Sequence, residues 1–216
     1  MEKTEQEYAK IYSSKKFLPF GSGSPRTQFR QRERVGLTKK TIKYSVNETF
    51  FDIWSDDLAW VLGLIWTDGH LNKNTVSITS KDKNLLEKVN SITGNERPLR
   101  IRVTGRAWDL SICNRQVVKR LREIGLISGV EGKTRNIEFP NMPFVFKSSF
   151  VRGLIDGDGC ITRRVQGKNV KGLFVYICGA SNIFKGLVSW LREQNINHSL
   201  YFETDEMWRV CIFIPI

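Results

Sequence analysis

Histidine is nearly absent from this 216-residue sequence, which holds only His70 and His198. The two stand far apart, so a nuclease centre built on paired histidines is hard to assemble from them. The four cysteines, Cys113, Cys160, Cys178 and Cys211, are equally scattered. Such a set forms no zinc-ligand spacing. They are expected as buried free thiols, which suits an intracellular, reducing compartment. No apolar run is long enough to span a membrane, and no secretory apolar segment stands near the start. Acidic residues are short as well: 22 Asp plus Glu face 34 Lys plus Arg, a net charge of +12. A surplus of this size implies a polyanionic partner, most simply nucleic acid.

Against these shortages stands one pattern that occurs twice. The first copy is Val61-Leu62-Gly63-Leu64-Ile65-Trp66-Thr67-Asp68-Gly69, and the second is Val151-Arg152-Gly153-Leu154-Ile155-Asp156-Gly157-Asp158-Gly159. Small residues recur at every fourth position: Ala59, Gly63 and Thr67 in one, Ser149, Gly153 and Gly157 in the other. On a helix these positions share one face. A small face lets two helix backbones approach closely. The pattern therefore predicts two helices packed through Ala59, Gly63, Ser149 and Gly153. Each ends in Asp-Gly, with the glycine expected in the left-handed conformation that often follows a helix. The Asp is poorly placed, because a carboxylate at a helix C-terminus faces the negative end of the macrodipole, at about 0.3–1 kcal/mol. Pairing the helices also brings Asp68 and Asp158 together and adds like-charge repulsion. Two acids so placed call for a positive charge between them. A hard divalent cation such as Mg²⁺ fits, since it prefers carboxylates and leaves positions open for phosphate oxygens.

The two nonamers resemble the paired motifs of LAGLIDADG homing endonucleases in their double-motif, single-chain form. The second departs from the family string at Val151, Arg152 and Gly157. The first has Trp66 where the family usually has an Asp that is not the catalytic one. The resemblance spans about residues 55–216 and implies an α+β fold. Two pseudo-symmetric αββαββ(α) halves would pack through the motif helices, each with a saddle-like antiparallel sheet. It implies a monomeric, sequence-specific double-strand DNA endonuclease with a long, asymmetric target. Asp68 and Asp158 would hold Mg²⁺ or Mn²⁺, with the backbone carbonyls of Thr67 and Gly157 as further ligands. Lys81 stands where double-motif relatives carry a lysine that supports the active site. Aligning Ile78 with Ile177 puts Ala180 at the equivalent place. A maturase that binds its host intron RNA, or a non-cleaving DNA-binding regulator on the same scaffold, is the alternative. Retention of both acids favours the nuclease.

Taken in order, residues 1–54 read as a basic, mostly irregular arm, in which Gly21-Ser22-Gly23-Ser24-Pro25 breaks any helix. The arm either lies along DNA phosphates or is a solubilising tail. The first half covers 55–127. Ser55 caps the first motif helix, about 56–67. A hairpin follows to Ser80, then a helix from Asp82 with Leu85, Leu86, Val89 and Ile92 at helical spacing. Two strands, about 97–103 and 107–113, lead to a helix that opens at Asn114 and stops at Gly125. A linker covers 128–146. The second half, 147–216, repeats the order, with Ser148 as the cap and strands at about 160–166, 172–178, 198–204 and 207–214. It has no counterpart of the helix at 114–124.

Alternate strand positions carry charge. Arg100, Arg102, Arg106 and Trp108 in the first half, with Lys73 in its hairpin, and Arg163, Arg164, Lys168, Lys171 and Arg209 in the second, are the expected DNA contacts. Arg and Lys read guanine edges in the major groove. Taken singly, each is more simply a solvated strand residue.

Overall fold

The computed structural model describes residues 23–34, 44–129, 132, 136–166, 168–202 and 207–215. Two compact units divide the chain, residues 1–43 and 44–216. In the first, Pro25–Arg34 form a helix, α1. The expected helix breaker is its start. Pro25 takes the first helical position, where its missing N–H is not needed. Ser24 accepts from Thr27 N at 3.3 Å. The rest of the basic arm up to residue 43 lies outside the described residues. Residues 44–54 belong to the second unit, where Ser45 and Glu96 exchange backbone and side-chain hydrogen bonds and Phe51 is buried.

The second unit is α+β. Its first half runs α2 (Asp56–Asp68), β1 (Gly69–Leu71), β2 (Val76–Ser80), α3 (Lys83–Ile92), β3 (Arg100–Ile101), β4 (Trp108–Ile112) and α4 (Arg115–Ile124). Its second half runs α5 (Lys147–Asp158), β5 (Gly159–Gln166), β6 (Asn169–Ala180), α6 (Ser181–Glu193), β7 (His198–Phe202) and β8 (Met207–Pro215). The caps explain most of the starts. Ser55 accepts from Leu58 N, Asp82 from Leu85 N, and Asn114 from Gln116 N and Val117 N. Each satisfies N–H groups that the first turn leaves without partners. Gly125 closes α4 at φ 115°.

Ser148 does not cap α5. The helix opens at Lys147 behind Phe146, with no side-chain cap. The neighbouring Ser149 hydroxyl bonds instead to Asp56 Oδ1 of α2 at 2.6 Å.

Among the described residues there are two four-stranded antiparallel sheets, ordered β1-β2-β4-β3 and β5-β6-β8-β7. They have one topology, so the halves are structural repeats. The paired strands of the first half are shorter than the alternation suggests, since β3 keeps only Arg100 and Ile101. Helices cover one face of each sheet. One apolar cluster runs through both halves, from Leu58, Leu62 and Ile65 of α2 to Leu187 and Leu191 of α6. α2 is buried from Leu58 to Trp66. A helix apolar all round is a central one, and this one forms the seam between the halves. Among the described residues no helix is long and apolar enough to cross a membrane.

Candidate active site and nucleic-acid interface

The seam is a backbone-to-backbone contact of α2 and α5. A Cβ built on Gly63 would meet the Phe150 carbonyl oxygen and come within 2.6 Å of Gly153 Cα. One built on Gly153 would meet the Trp60 carbonyl oxygen and lie 2.8 Å from Gly63 Cα. Further along, a Cβ on Gly157 would run into the Thr67 side chain. Only hydrogen fits at these positions. Ala59 is fully buried beside them, and Ser149 is tied to Asp56 across the seam.

The pseudo-twofold relation is broken in an orderly way around this contact. Positions 60 and 156 face each other, as do 150 and 66. In the first pair, Trp60 Nε1 donates to Asp156 Oδ2 at 2.7 Å. In the second, the Trp66 and Phe150 rings meet edge to face, 5.9 Å between centroids, and Trp66 Nε1 donates to the Glu138 carbonyl oxygen at 2.9 Å. Each buried indole N–H thus has an acceptor. This accounts for Trp66 in the first motif where the second has Asp156: the two positions make different contacts with the opposite helix.

Both helices stop at Asp-Gly, and here the expected geometry is corrected. Gly69 has φ −78° and ψ 145°, and Gly159 has φ −87° and ψ 157°, both extended. Neither takes the left-handed conformation. The reason for glycine is steric. A Cβ on Gly69 would meet the Ile65 carbonyl oxygen, and one on Gly159 that of Ile155. The chain turns straight from helix into strand, close against the preceding helical turn.

Asp68 and Asp158 therefore sit at adjoining helix ends. Asp158 lines a cavity of about 330 Å³ together with Thr67 and Gly69, the neighbours of Asp68, and with His70, Cys178 and Ala180. Thr67 turns its hydroxyl back to the carbonyl oxygens of Gly63 and Leu64, at 3.2 and 3.1 Å. Sequence reasoning misses His70, whose Nε2 is 3.2 Å from Asn72 Oδ1; its one signal was its place directly after Asp-Gly. Among the described residues no group of three or more His, Cys, Asp or Glu comes together. Two carboxylates at paired helix ends suit a Mg²⁺-like ion, which takes one or two carboxylates and fills its shell with water and phosphate oxygens.

Register places Lys81. Gly69 pairs with Ile78, and Gly159 with Ile177. Lys81, just beyond β2, and Ala180, the last residue of β6, are thus equivalent. Lys81 is exposed. Ala180 is buried and adds a methyl group to the cavity wall.

The open faces of the two sheets differ in chemistry. On the first, cross-strand pairing brings together His70, Ser77, Thr79, Asp109 and Ser111, with Arg100 opposite Asp109. Arg102 Nε donates to Asp109 Oδ1 at 2.9 Å and Arg102 Nη2 to Thr79 Oγ1 at 2.8 Å, while Thr79 Oγ1 donates to Asp109 at 2.6 Å. Burial pushes the Asp109 carboxyl up, but the Thr79 hydroxyl, Arg102 and Arg100 outweigh it and hold its pKa below the usual carboxylate range. Trp108 departs from expectation. It falls on the helix side, packed against the core with Lys83 Nζ 5.2 Å from its ring centre. Odd and even strand positions face opposite ways, so Trp108 cannot share a face with Asp109. Arg106 and Lys73 are exposed in turns.

On the second sheet, Arg163 pairs with Leu173 and Arg164 with Gly172, so the two arginines point to opposite faces. Arg164 shares the open face with Phe174, Tyr176, Phe213 and Arg209. Lys168 and Lys171 are exposed at the hairpin end. The cysteines are free, but only Cys211 is buried; Cys113 and Cys160 are exposed. Cys160 lies on the open face of β5, and Cys113 follows the end of β4.

A LAGLIDADG-like domain family is matched over residues 55–125. No curated protein matches the sequence. Solved structures of similar fold include the LAGLIDADG homing endonuclease I-GzeII in complex with its DNA target. It is 14% identical, with 72% of this chain and 77% of that one covered and a TM-score of 0.50. I-DmoI in complex with DNA and Ca is 15% identical, covering 77% and 84%, at 0.45. Full-length DUF199/WhiA from Thermatoga maritima is 13% identical, covering 77% and 55%, at 0.49. At 14% identity the likeness to I-GzeII is one of fold alone. Residues 55–125 are thus similar to the LAGLIDADG-like domain family, and the two-sheet architecture of the second unit fits the family's double-motif form.

Proposed function

We propose that this protein is a site-specific DNA endonuclease that cuts both strands of a long, asymmetric duplex target. The observation that carries the reading is the placing of Asp68 and Asp158 at the ends of two helices held backbone to backbone. The seam keeps two carboxylates at helix ends that disfavour them. A protein that only bound nucleic acid would gain nothing from acids turned toward phosphates. The net charge of +12 supplies the general attraction for the duplex.

Asp68 and Asp158 would hold Mg²⁺ or Mn²⁺ there, with the carbonyl oxygens of Thr67 and Gly157 as further donors. A divalent cation in such a site supplies Lewis acidity toward a phosphate and makes water more acidic. The chain's own part is to fix the two carboxylates relative to one another through Gly63, Gly153 and Gly157. Lys81 would add a positive charge on the first side only, close to where negative charge develops during phosphoryl transfer. The sheets position the duplex: Lys73, Arg100, Arg106, Lys168 and Lys171 would lie along phosphates, with base edges read from the open faces. One protein molecule would occupy both half-sites.

The test is Asp68→Asn and Asp158→Asn, assayed with Mg²⁺ on a duplex recovered from a randomised library. Each should abolish double-strand cleavage and leave affinity similar or tighter, since one repulsive charge near phosphate is removed. Near wild-type cutting by either variant would overturn the site. A wild type that binds duplex or intron RNA but cuts nothing would leave the regulator or the maturase.

A further inference from the structure

The open face of the second sheet is rich in aromatic rings where that of the first is polar. Pairing aligns Thr162 with Phe174 and Phe174 with Phe213, and Cys160 with Tyr176 and Tyr176 with Cys211. The Phe174 and Phe213 centroids are 5.4 Å apart, and Phe174 and Tyr176 are 5.8 Å apart. Arg164 Cζ lies 4.9 Å from the Phe213 centroid and 5.7 Å from that of Phe174. Arg209 Cζ lies 6.0 Å from the Tyr176 centroid, and its Nε donates to Cys178 Sγ at 3.4 Å. The equivalent face of the first sheet presents Ser77, Thr79, Asp109, Ser111 and arginines, with no Phe, Tyr or Trp among its described residues. One fold thus offers two chemically different reading faces.

This surface joins apolar ring edges to guanidinium groups. It suits a ligand that shows apolar groups and phosphates side by side. In the major groove only thymine offers such a group, the C5 methyl, and Phe is one of the side chains that contact it. Unpaired bases would need free ring faces to stack on. Here Arg164 lies over both phenylalanine rings, and the rings are tilted 48° to each other. A purely apolar protein partner leaves the arginines and the net charge of +12 without a role.

We infer that the two half-sites are read by different chemistry: the second sheet recognises a thymine-rich duplex half-site through methyl contacts at Phe174, Phe213 and Tyr176, while the first sheet reads its half by hydrogen bonds. The inference rests on the proposed duplex-binding function and goes on to the composition of the target.

The test uses the full chain, with duplexes selected for binding in chelator, so that cleavage is not needed. The selected sites should have one thymine-rich half. Replacing its thymines with deoxyuridine removes only the methyl groups. Affinity should fall about fourfold per contacted methyl, the factor that corresponds to ~0.8 kcal/mol for one buried carbon. The same replacement in the other half should change nothing. Phe174→Ser should relax the thymine preference and blunt the deoxyuridine effect, and Phe174→Leu should keep both. If Phe174→Ser does not fold, the deoxyuridine series on the wild type decides alone. Duplex binding and cleavage without a deoxyuridine effect would overturn this inference and leave the nuclease standing. Oligo(dT) single strands bound as tightly as the duplex would overturn it in favour of base stacking. No duplex binding at all would overturn both readings.

Discussion

Gly153→Ala tests the seam by the sign of its effect. In an ordinary helix interior, replacing glycine by alanine is favourable by about 0.8–1.0 kcal/mol. In a domain of about 150–250 residues, 1 kcal/mol moves Tm by roughly 2–4 °C. If α2 and α5 did not touch at this point, the variant would melt a few degrees higher. The structure requires the opposite. The new Cβ would meet the Trp60 carbonyl oxygen and lie 2.8 Å from Gly63 Cα and 3.1 Å from Leu64 N, all of them backbone atoms. Carbon atoms prefer about 3.5–4.0 Å. No rotamer change relieves the contact, so the helix axes must separate, and the buried Leu62 and Leu64 move with them. Overpacking costs about 1–3 kcal/mol, and rigid backbone puts this site at the upper end. Subtracting the gain in helix propensity leaves about 2 kcal/mol, a Tm lower by roughly 4–8 °C. Gly63→Ala should behave alike. The double variant should lose less than the sum, because one separation relieves both clashes. Gly153→Leu should not give a folded protein. Thermal unfolding followed by circular dichroism reads all of these. A higher Tm for Gly153→Ala would refute the backbone-to-backbone seam, and with it the reason for Asp68 and Asp158 being neighbours.

Other consequences can be measured as directly. The Asp109 carboxyl titrates below the usual carboxylate range, so its stabilising effect is complete above the ordinary carboxylate pKa of about 3.9 and is lost as pH falls through the depressed value. Asp109→Asn should therefore flatten the fall of stability below about pH 4; an unchanged acid limb would remove the Thr79–Asp109–Arg102 cluster from the account. The two DNA strands should be cut at unequal rates, since Lys81 has only Ala180 opposite it. A nicked intermediate should accumulate, and Lys81→Met should slow the faster strand by roughly a hundredfold. Equal rates in the wild type would remove Lys81 from the mechanism. Deleting residues 1–43, rich in Lys and Arg, should weaken binding to all sequences and make the slope of log affinity against log salt shallower without moving the cut site; an unchanged slope would make the segment a solubilising tail.

The elements and their order were legible because they rest on local signals. Ser55, Asp82 and Asn114 cap their helices with side chains one turn away, and the apolar spacing of Leu86 and Val89 marks a buried helix face. The paired nonamers went further. Small residues at every fourth position have no local use, so their presence announced a close partner before any contact was seen. Other features depended on distant chain. Gly69 and Gly159 are glycines because strand folds straight back on helix, and conformational preference alone suggested a different backbone. Trp108 follows strict alternation, yet which face is the core depends on where α3 packs. At the end of Gly21-Ser22-Gly23-Ser24, Pro25 reads as a helix breaker, and only the helical turn after it makes it a start. The aromatic face of the second sheet escaped the sequence altogether, because Phe174, Tyr176 and Phe213 come from two strands separated by a helix and a further strand. Periodicity within one segment says which residues share a side. Only tertiary packing decides which side is covered, and which residues from elsewhere join it there.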